Sequence, residues 1–230
     1  MPSDVPLRDL VPPPWTPYLA GCDALERVDA YLRAEEEAGR PWHPDRGRIL
    51  RALDLCHPDR LTGAAVGQDP YPRAGQPTGL AFDLPDGEMS PSARTILAEY
   101  AEDLGRPRPP RADLEPWARH GLLLWNSAAT TAVGVAGAHA RSGWHDVTRH
   151  LLREIVRRHE GLVFICWGTH AQSLVLPLLD DRHRAIVSNH PSPLSARRPP
   201  VPFVGSRPFS RFDALRAEMG RPPMDWTLPA

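Results

Sequence analysis

With 230 residues, 41% hydrophobic and 24% charged, and a net charge of −1, the chain is expected to fold as one domain or a tight pair with a sizeable core. It contains no lysine, which excludes Schiff-base chemistry through a lysine amine, and its three separated cysteines cannot hold a four-cysteine iron–sulfur cluster and predict a reduced, cytoplasmic protein. No apolar run reaches roughly 18 residues and no signal-peptide pattern occurs, so we expect neither a membrane span nor a leader.

Hydrophobic periodicity predicts helices along most of the chain, after an irregular N-terminal segment at residues 1–14. Ser90 followed by Pro91 predicts a helix start, because serine caps helices and proline suits the first helical position. That helix is expected to end near Leu104. The other predicted helices cover residues 23–38, 45–55, 144–158, 169–179 and 210–219.

Four short apolar runs predict buried strands at residues 61–66, 121–125, 162–166 and 184–188. Strands that alternate with helices predict a single-domain three-layer α/β/α sandwich with a central, mainly parallel four-stranded sheet. In such folds, ligands bind beyond the carboxyl ends of the strands. Asp69, Asn126 and His190 follow the first, second and fourth predicted strands, so we expect them to meet at this edge.

Each of these three residues has an ordinary structural explanation when it is taken alone. Asp69 could cap a turn, Asn126 could cap a helix, and His190 could be a loop histidine. Three such residues at one edge of one sheet favour a catalytic site. The charge distribution is compatible with an anion-binding face, since residues 182–221 contain 8 Arg against 2 acidic residues, although a solvated surface explains it equally well.

The segments at this edge resemble the signature motifs of the family 1 uracil-DNA glycosylases. The resemblance spans about residues 15–226 and keeps the order of the family motifs. The motifs are GQDPY at 67–71, GLAF at 79–82, GLLLWN at 121–126, WGTHAQ at 167–172, HPSPLS at 190–195 and the final Asp225-Trp226.

The resemblance implies an enzyme that flips uracil out of DNA and hydrolyses its N-glycosidic bond, which leaves an abasic site and begins base excision repair. It implies a monofunctional DNA N-glycosylase without lyase activity that needs no cofactor and no metal. The implied partners are single- and double-stranded DNA that contains uracil, with proteinaceous uracil-glycosylase inhibitors as further candidates. A cytoplasmic monomer with no membrane contact is expected.

The resemblance also assigns roles to individual residues. Asp69 would orient the attacking water and stabilise the positive sugar, and His190 would donate to uracil O2 with help from backbone N–H groups near Gln68. Asn126 would read uracil, because a carboxamide complements both O4 and N3. Phe82 would stack on the base, and Tyr71 would stand where thymine carries its methyl group.

On the DNA side, the resemblance makes Leu194 the wedge that enters the vacated base stack. Arg198, together with Arg197 and more weakly Arg94, would add positive charge beside the wedge. The residues implied to contact the DNA backbone are Ser90, Pro91, Ser92, Gly168, Thr169, Ser192, Pro193 and Ser195.

The chain departs from the family pattern most clearly at Pro72, where the family usually has histidine after Asp-Pro-Tyr. Residues 199–202 resemble a short insertion beside the DNA-facing loop. Two other functions remain open: a family member redirected to another base or nucleoside, and a module that grips DNA or a replication partner without turnover. A changed base is disfavoured by the presence of Tyr71, Phe82 and Asn126. A binding module without turnover is disfavoured by the presence of Asp69 and His190.

Overall fold

The computed structural model describes residues 5–85 and 88–229. Its helices are α1 (Thr16–Leu19), α2 (Ala24–Glu37), α3 (Arg51–Leu55), α4 (Pro91–Leu104), α5 (Glu115–Arg119), α6 (Trp144–Arg158), α7 (Thr169–Val175) and α8 (Pro208–Glu218). Its strands are β1 (Trp42–His43), β2 (Gly63–Gly67), β3 (Leu122–Asn126), β4 (Thr131–Ala132), β5 (Val163–Trp167) and β6 (Arg184–Ser188). Turns of 3-10 helix occur at Leu7–Leu10, Pro13–Trp15, Arg46–Arg48, Pro58–Arg60 and Leu176–Leu178.

The main sheet has four parallel strands in the order β3-β2-β5-β6. Every residue of β2 and β5, the two central strands, is buried, as expected when both faces of a parallel sheet are covered. The predicted α/β fold, with one four-stranded sheet flanked by helices, is confirmed. Because all strands run the same way, the residues after β2, β3 and β6 share one edge.

Several predicted elements agree closely with the structure. The helix at 144–158 and the strand at 184–188 match α6 and β6 residue for residue. Ser90 caps α4 as predicted, since its Oγ accepts a hydrogen bond from the Ala93 N–H at 3.0 Å. The other three strands begin and end one or two residues later than predicted.

Other predicted elements differ from the structure. The helix predicted over 45–55 is split into a 3-10 turn and α3, with Leu50 outside both. The helix predicted over 169–179 ends at Val175 and continues as a 3-10 turn that contains Pro177, which has no N–H to extend an α-helical ladder. The N-terminal segment 1–14 was expected to be irregular, but its described part includes the 3-10 turns at Leu7–Leu10 and from Pro13. Residues 1–4 lie outside the described residues.

The final Asp225-Trp226 motif anchors the C-terminal segment in the core. Trp226 is 2% exposed and packs edge-on against Trp117 and Phe212. Its indole Nε1 donates to Asp213 at 3.1 Å, while its carbonyl accepts from Trp117 Nε1 at 3.1 Å. The three cysteines are buried and unpaired. Among the described helices, none combines the length and the apolar character needed to cross a membrane.

Candidate active site

A cavity of about 220 Å³ opens at the carboxyl ends of the strands. It brings together residues from the ends of β2 and β3, from the loops after β2, β4 and β6, and from the segment that leads into the first turn of α4. Its lining consists of Gly67, Gln68, Asp69, Pro70, Tyr71, Pro72, Leu80, Phe82, Ser92, Asn126, Ala136 and His190. All six residues predicted from the resemblance to catalyse the reaction or to bind the base therefore face one space.

Asp69 lies in the loop two residues after β2 and is partly buried. One carboxylate oxygen, Oδ2, accepts a hydrogen bond from the Gly137 N–H at 2.5 Å. Burial raises the pKa of Asp69, and the Gly137 N–H and the nearby His170 oppose this rise because both favour the anion. The second oxygen, Oδ1, accepts no hydrogen bond within the described residues and is available to a water molecule in the cavity.

Asn126 ends β3 beside β2, and its carboxamide lies over Gly67. A Cβ at position 67 would collide with Asn126 Oδ1, so only glycine leaves room for this side chain. The Asn126 carboxamide makes no hydrogen bond to any described residue. Its donor and acceptor are therefore both available to a ligand.

His190 has a defined tautomer. Its Nδ1 accepts a hydrogen bond from the Ser192 N–H at 3.1 Å, so a neutral imidazole carries its proton on Nε2. Burial lowers the pKa of His190, which favours this neutral form. The ring lines the cavity as a neutral hydrogen-bond donor.

The two aromatic residues of the cavity, Phe82 and Tyr71, are each supported by a neighbouring side chain. Phe82 is 7% exposed and has φ of 67°, a left-handed conformation that non-glycine residues rarely adopt. Its ring meets Trp167 edge-on at 5.2 Å between centroids. The Tyr71 hydroxyl lies 2.7 Å from Ser90 Oγ, and burial raises the pKa of Tyr71. Both rings are thus fixed before a ligand arrives.

The loop after β6 presents an apolar side chain to solvent. Leu194 is 77% exposed, the highest value among the large hydrophobic residues exposed in the described chain. The turn beneath it is closed by hydrogen bonds from the Ser195 N–H to the Ser192 carbonyl at 2.9 Å and from Ser195 Oγ to the His190 carbonyl at 2.9 Å. The same short segment therefore carries both the exposed leucine and the half-buried His190.

The residues predicted to contact the DNA backbone differ in their exposure and in their distance from the cavity. Ser92 lines the cavity, and Pro91, Pro193 and Thr169 are exposed at the same edge. Ser90 is buried, and its hydroxyl is engaged by the α4 cap and by Tyr71. The side chains of Arg94, Arg197 and Arg198 are exposed and form no ion pair with any described residue.

Residues 54–212 match the model of a protein family, the Uracil DNA glycosylase superfamily. This chain is a member of the uracil-DNA glycosylase superfamily. The uracil-DNA glycosylase of Mycolicibacterium paratuberculosis is 42% identical over 227 residues, which span 97% of this chain and 98% of that protein. The uracil-DNA glycosylase of Xanthomonas oryzae pv. oryzae is 38% identical over 231 residues, which span 99% and 95% of the two chains.

Solved structures agree on the fold. The crystal structure of mimivirus uracil-DNA glycosylase superposes with a TM-score of 0.89 at 23% identity, and the match covers 98% of this chain and 91% of that one. A variant of mimivirus UNG in complex with UGI gives a TM-score of 0.90 at 24% identity, over 98% and 92% of the chains. At these identities, the likeness extends to the fold alone.

Several residues of this uracil-DNA glycosylase site could not be found from the sequence. Gly137 supplies the N–H that holds Asp69 from 68 positions away, and no motif marks it. Trp167 and His170 belong to a recognised motif, but only the structure shows that they support Phe82 and the Asp69 loop. Within the described residues, no three His, Cys, Asp or Glu side chains could together hold a metal ion.

Proposed function

We propose that this chain is a uracil-DNA glycosylase whose base pocket is the 220 Å³ cavity after β2, β3 and β6. The observation that carries the proposal is the presence of three chemically distinct groups in that cavity. These are an anionic carboxylate at Asp69, a free carboxamide at Asn126, and a neutral imidazole donor at His190.

Asn126 reads the base. Uracil offers an acceptor at O4 and a donor at N3, and one carboxamide complements both. Cytosine reverses both groups and would leave two buried mismatches, which is how a polar pocket rejects a near-isostere. Phe82 supplies a face for stacking, and Tyr71 occupies the side where thymine carries its methyl group.

The reaction develops negative charge on uracil O2 and positive charge on the sugar. His190 donates from Nε2 toward O2, and the backbone N–H groups of Gln68 and Asp69 add to this stabilisation. The Asp69 carboxylate stabilises the sugar cation and orients the water through Oδ1, while Gly137 holds Oδ2. Burial of Asp69 strengthens its attraction to the cation, because water screens it less.

Leu194 replaces the extruded base in the duplex, and its exposure on a closed turn suits this role. Ser92, Ser192 and Ser195 face the DNA backbone near the cavity. Arg197 and Arg198 have no carboxylate partner among the described residues and supply charge for phosphates.

The enzyme is proposed to be monofunctional, since the chain has no lysine to form a Schiff base with the abasic sugar. It is proposed to act as a monomer, because a single chain supplies every group of the cavity. The three unpaired cysteines suit a reducing, cytoplasmic compartment. A proteinaceous inhibitor is proposed to bind the Leu194 face, by analogy with the UGI complex of the mimivirus relative.

Single-turnover base release tests this function. Matched single- and double-stranded oligonucleotides carry uracil, thymine, cytosine or hypoxanthine, and the wild-type protein is expected to release uracil alone. Asp69→Asn, which keeps the acceptor for Gly137 but loses the charge, should bind uracil DNA and release it about 10²–10⁴ times more slowly. Asp59→Asn removes an exposed carboxylate before β2 and serves as the control. Binding without release by the wild-type protein would identify a binding module instead.

The choice of base is tested separately with Asn126→Asp. A protonated carboxyl can donate to N3 of cytosine and accept from its exocyclic amine, so this variant is expected to release cytosine weakly. A folded variant that releases cytosine no faster than wild type would show that another residue reads the base.

A further inference from the structure

The loop that carries Asp69 is tied to the neighbouring loop after β3 at two successive carbonyls. The Ser127 N–H donates to the Gly67 carbonyl at 2.9 Å, and the Ala128 N–H donates to the Gln68 carbonyl at 2.9 Å. The Ser127 hydroxyl also lies 2.8 Å from the Gln68 carbonyl oxygen. The Gln68 carbonyl therefore has two partners, neither of which lines the cavity.

The proton positions around Ser127 follow from its single hydroxyl proton. A carbonyl only accepts, so the Ser127 hydroxyl donates to Gln68. Ser127 Oγ lies 2.7 Å from His170 Nε2, and the proton for this second contact must come from the imidazole. The hydrogen bonds thus run in one direction, from His170 Nε2–H to Ser127 Oγ–H to the Gln68 carbonyl.

This direction matters because the Gln68 carbonyl and the Asp69 N–H belong to one peptide group. In a planar trans peptide the C=O and the N–H point in opposite directions. Holding the carbonyl toward Ser127 turns the Asp69 N–H toward the other side, where Gln68 and Asp69 line the cavity. The Asp69 N–H donates to no acceptor within the described residues, so it is free for a ligand.

We infer that His170, acting through Ser127, is a positioning residue that aims the Asp69 N–H at the anion developing on the departing base. The inference rests on the proposed glycosylase activity and deepens it. His170 does not line the cavity, so it acts through the peptide and not on the substrate. Loss of an oxyanion donor typically slows a reaction about 10²–10³-fold, and the remaining bond from Ala128 should limit the effect here.

The test is single-turnover uracil release by variants of the chain. His170→Leu, which lacks the donor, is expected to release uracil about 10- to 100-fold more slowly, with less than about a 3-fold change in affinity for uracil-containing DNA. The affinity is spared because the anion exists only in the transition state. His170→Gln places an amide N–H near the position of Nε2 and is expected to recover to within about 3-fold of wild type. Ser127→Ala should repeat the loss while leaving the imidazole in place.

A matched control lies on the same helix. The Ser173 hydroxyl donates to the His170 carbonyl at 2.8 Å, so Ser173→Ala removes a hydrogen bond from the same residue but outside the chain of bonds to Gln68. It is expected to release uracil at the wild-type rate. Wild-type rates in both His170→Leu and Ser127→Ala would overturn the inference, as would a His170→Gln variant as slow as His170→Leu. If His170→Leu does not fold, Ser127→Ala, which loses one oxygen atom, decides alone. A wild-type protein that binds uracil DNA without release would refute the proposed function instead.

Discussion

Gly168 lies directly against His190: a Cβ built on Gly168 would stand 3.0 Å from the Cβ of His190. Gly168 also has φ of 90°, which only glycine adopts readily, and its N–H donates to the Ser188 carbonyl at 2.8 Å. The glycine after β5 thus sets how closely the loop after β6 can approach the cavity. The resemblance assigned Gly168 to the DNA backbone, and its packing also places it against the Cβ and the backbone of His190.

Gly168→Ala is therefore expected to displace His190 by a few tenths of an ångström and to slow single-turnover uracil release by up to about 10-fold, because a misplacement of about 1 Å can cost about 100-fold. The left-handed backbone adds about 1–3 kcal/mol of strain, so the melting temperature should fall too. Gly105→Ala is the control, since Gly105 has φ of 60° and open space around it. Comparable slowing in both variants would show that strain alone is responsible.

Leu194→Ala should separate the free energy needed to open a duplex from the hydrolysis of the glycosidic bond. The side chain is 77% exposed, so its loss should leave stability unchanged. Release of uracil from duplex DNA is expected to slow about 10- to 100-fold, and release from single-stranded DNA less than about 3-fold, because a single strand needs little unstacking. Val201→Ala, in the neighbouring segment 199–202, removes another exposed apolar side chain and should change neither rate. Equal losses on the two substrates would contradict the wedge assignment.

The sequence was sufficient to predict the sheet and the residues that meet at its edge. Short apolar runs mark β2, β3, β5 and β6, and the intervening helices indicate that these strands run parallel. Asp69, Asn126 and His190 could then be brought together by position alone. The supporting contacts could not be predicted, because the Gly137 bond to Asp69 joins residues 68 positions apart and the left-handed φ of Phe82 has no sequence signal.

The charge distribution was a poorer guide than the motifs. The arginines of residues 182–221 do not form one face. Arg216 is 5% exposed and donates to the carbonyls of Thr62, Gly161 and Pro222 at the amino ends of the strands, opposite the cavity. Arg197 and Arg198 lie at the carboxyl ends. A count of arginines along the sequence cannot separate these two groups, because the segments before and after a strand of a parallel sheet lie at opposite ends of that strand.

Stability is expected to decrease below about pH 6.5 because of buried histidines. Burial lowers the pKa of His139 from the ordinary value of 6.5; His43 adds to the decrease, and Glu35 opposes it. Below pH 6.5, His139 therefore binds a proton more readily in the unfolded chain than in the folded protein. The free energy of unfolding is unaffected by protonation of this residue above pH 6.5 and decreases as the pH falls toward the lower pKa of the folded state. Within the described residues, the Nε2 atoms of His43 and His139 are buried without a hydrogen-bond partner, so no hydrogen bond at these atoms would stabilise a charged imidazole.

His139→Asn tests this pH dependence. Asparagine can still accept a hydrogen bond from the Thr130 hydroxyl, which lies 2.9 Å from His139 Nδ1, but it does not titrate. The free energy of unfolding, measured with urea at pH 7.5 and pH 5, is expected to fall less in this variant than in wild type. The exposed His57→Asn serves as the control. An unchanged difference between the two pH values would mean that His139 does not contribute.

Pro72 offers a test of the most distinct departure from the family pattern. It lines the cavity one residue past Tyr71, and its ring has neither an N–H nor an imidazole to reach a phosphate or the catalytic water. Its carbonyl accepts from the Gly134 N–H at 2.6 Å, a bond that any residue at this position can keep. A hydrogen bond to a charged group contributes about 1.5–3 kcal/mol, which corresponds to about a 10- to 150-fold change in rate or affinity.

Pro72→His is therefore expected to speed single-turnover release of uracil by up to about 10-fold. This is the lower end of the range that one hydrogen bond can supply, because the loop also loses the fixed φ of proline. Uracil-over-thymine selectivity should not change, since Tyr71 and Asn126 remain in the cavity. Pro72→Ala also loses the ring and gains the backbone N–H that histidine would bring, but it adds no imidazole, so it should be slower than Pro72→His. The comparison uses uracil and thymine duplexes with all three proteins. If the histidine variant is fully folded and still slower than the alanine variant, the imidazole obstructs the cavity and the expected gain is wrong; an alanine variant slower than wild type would show that the loop around Tyr71 depends on proline.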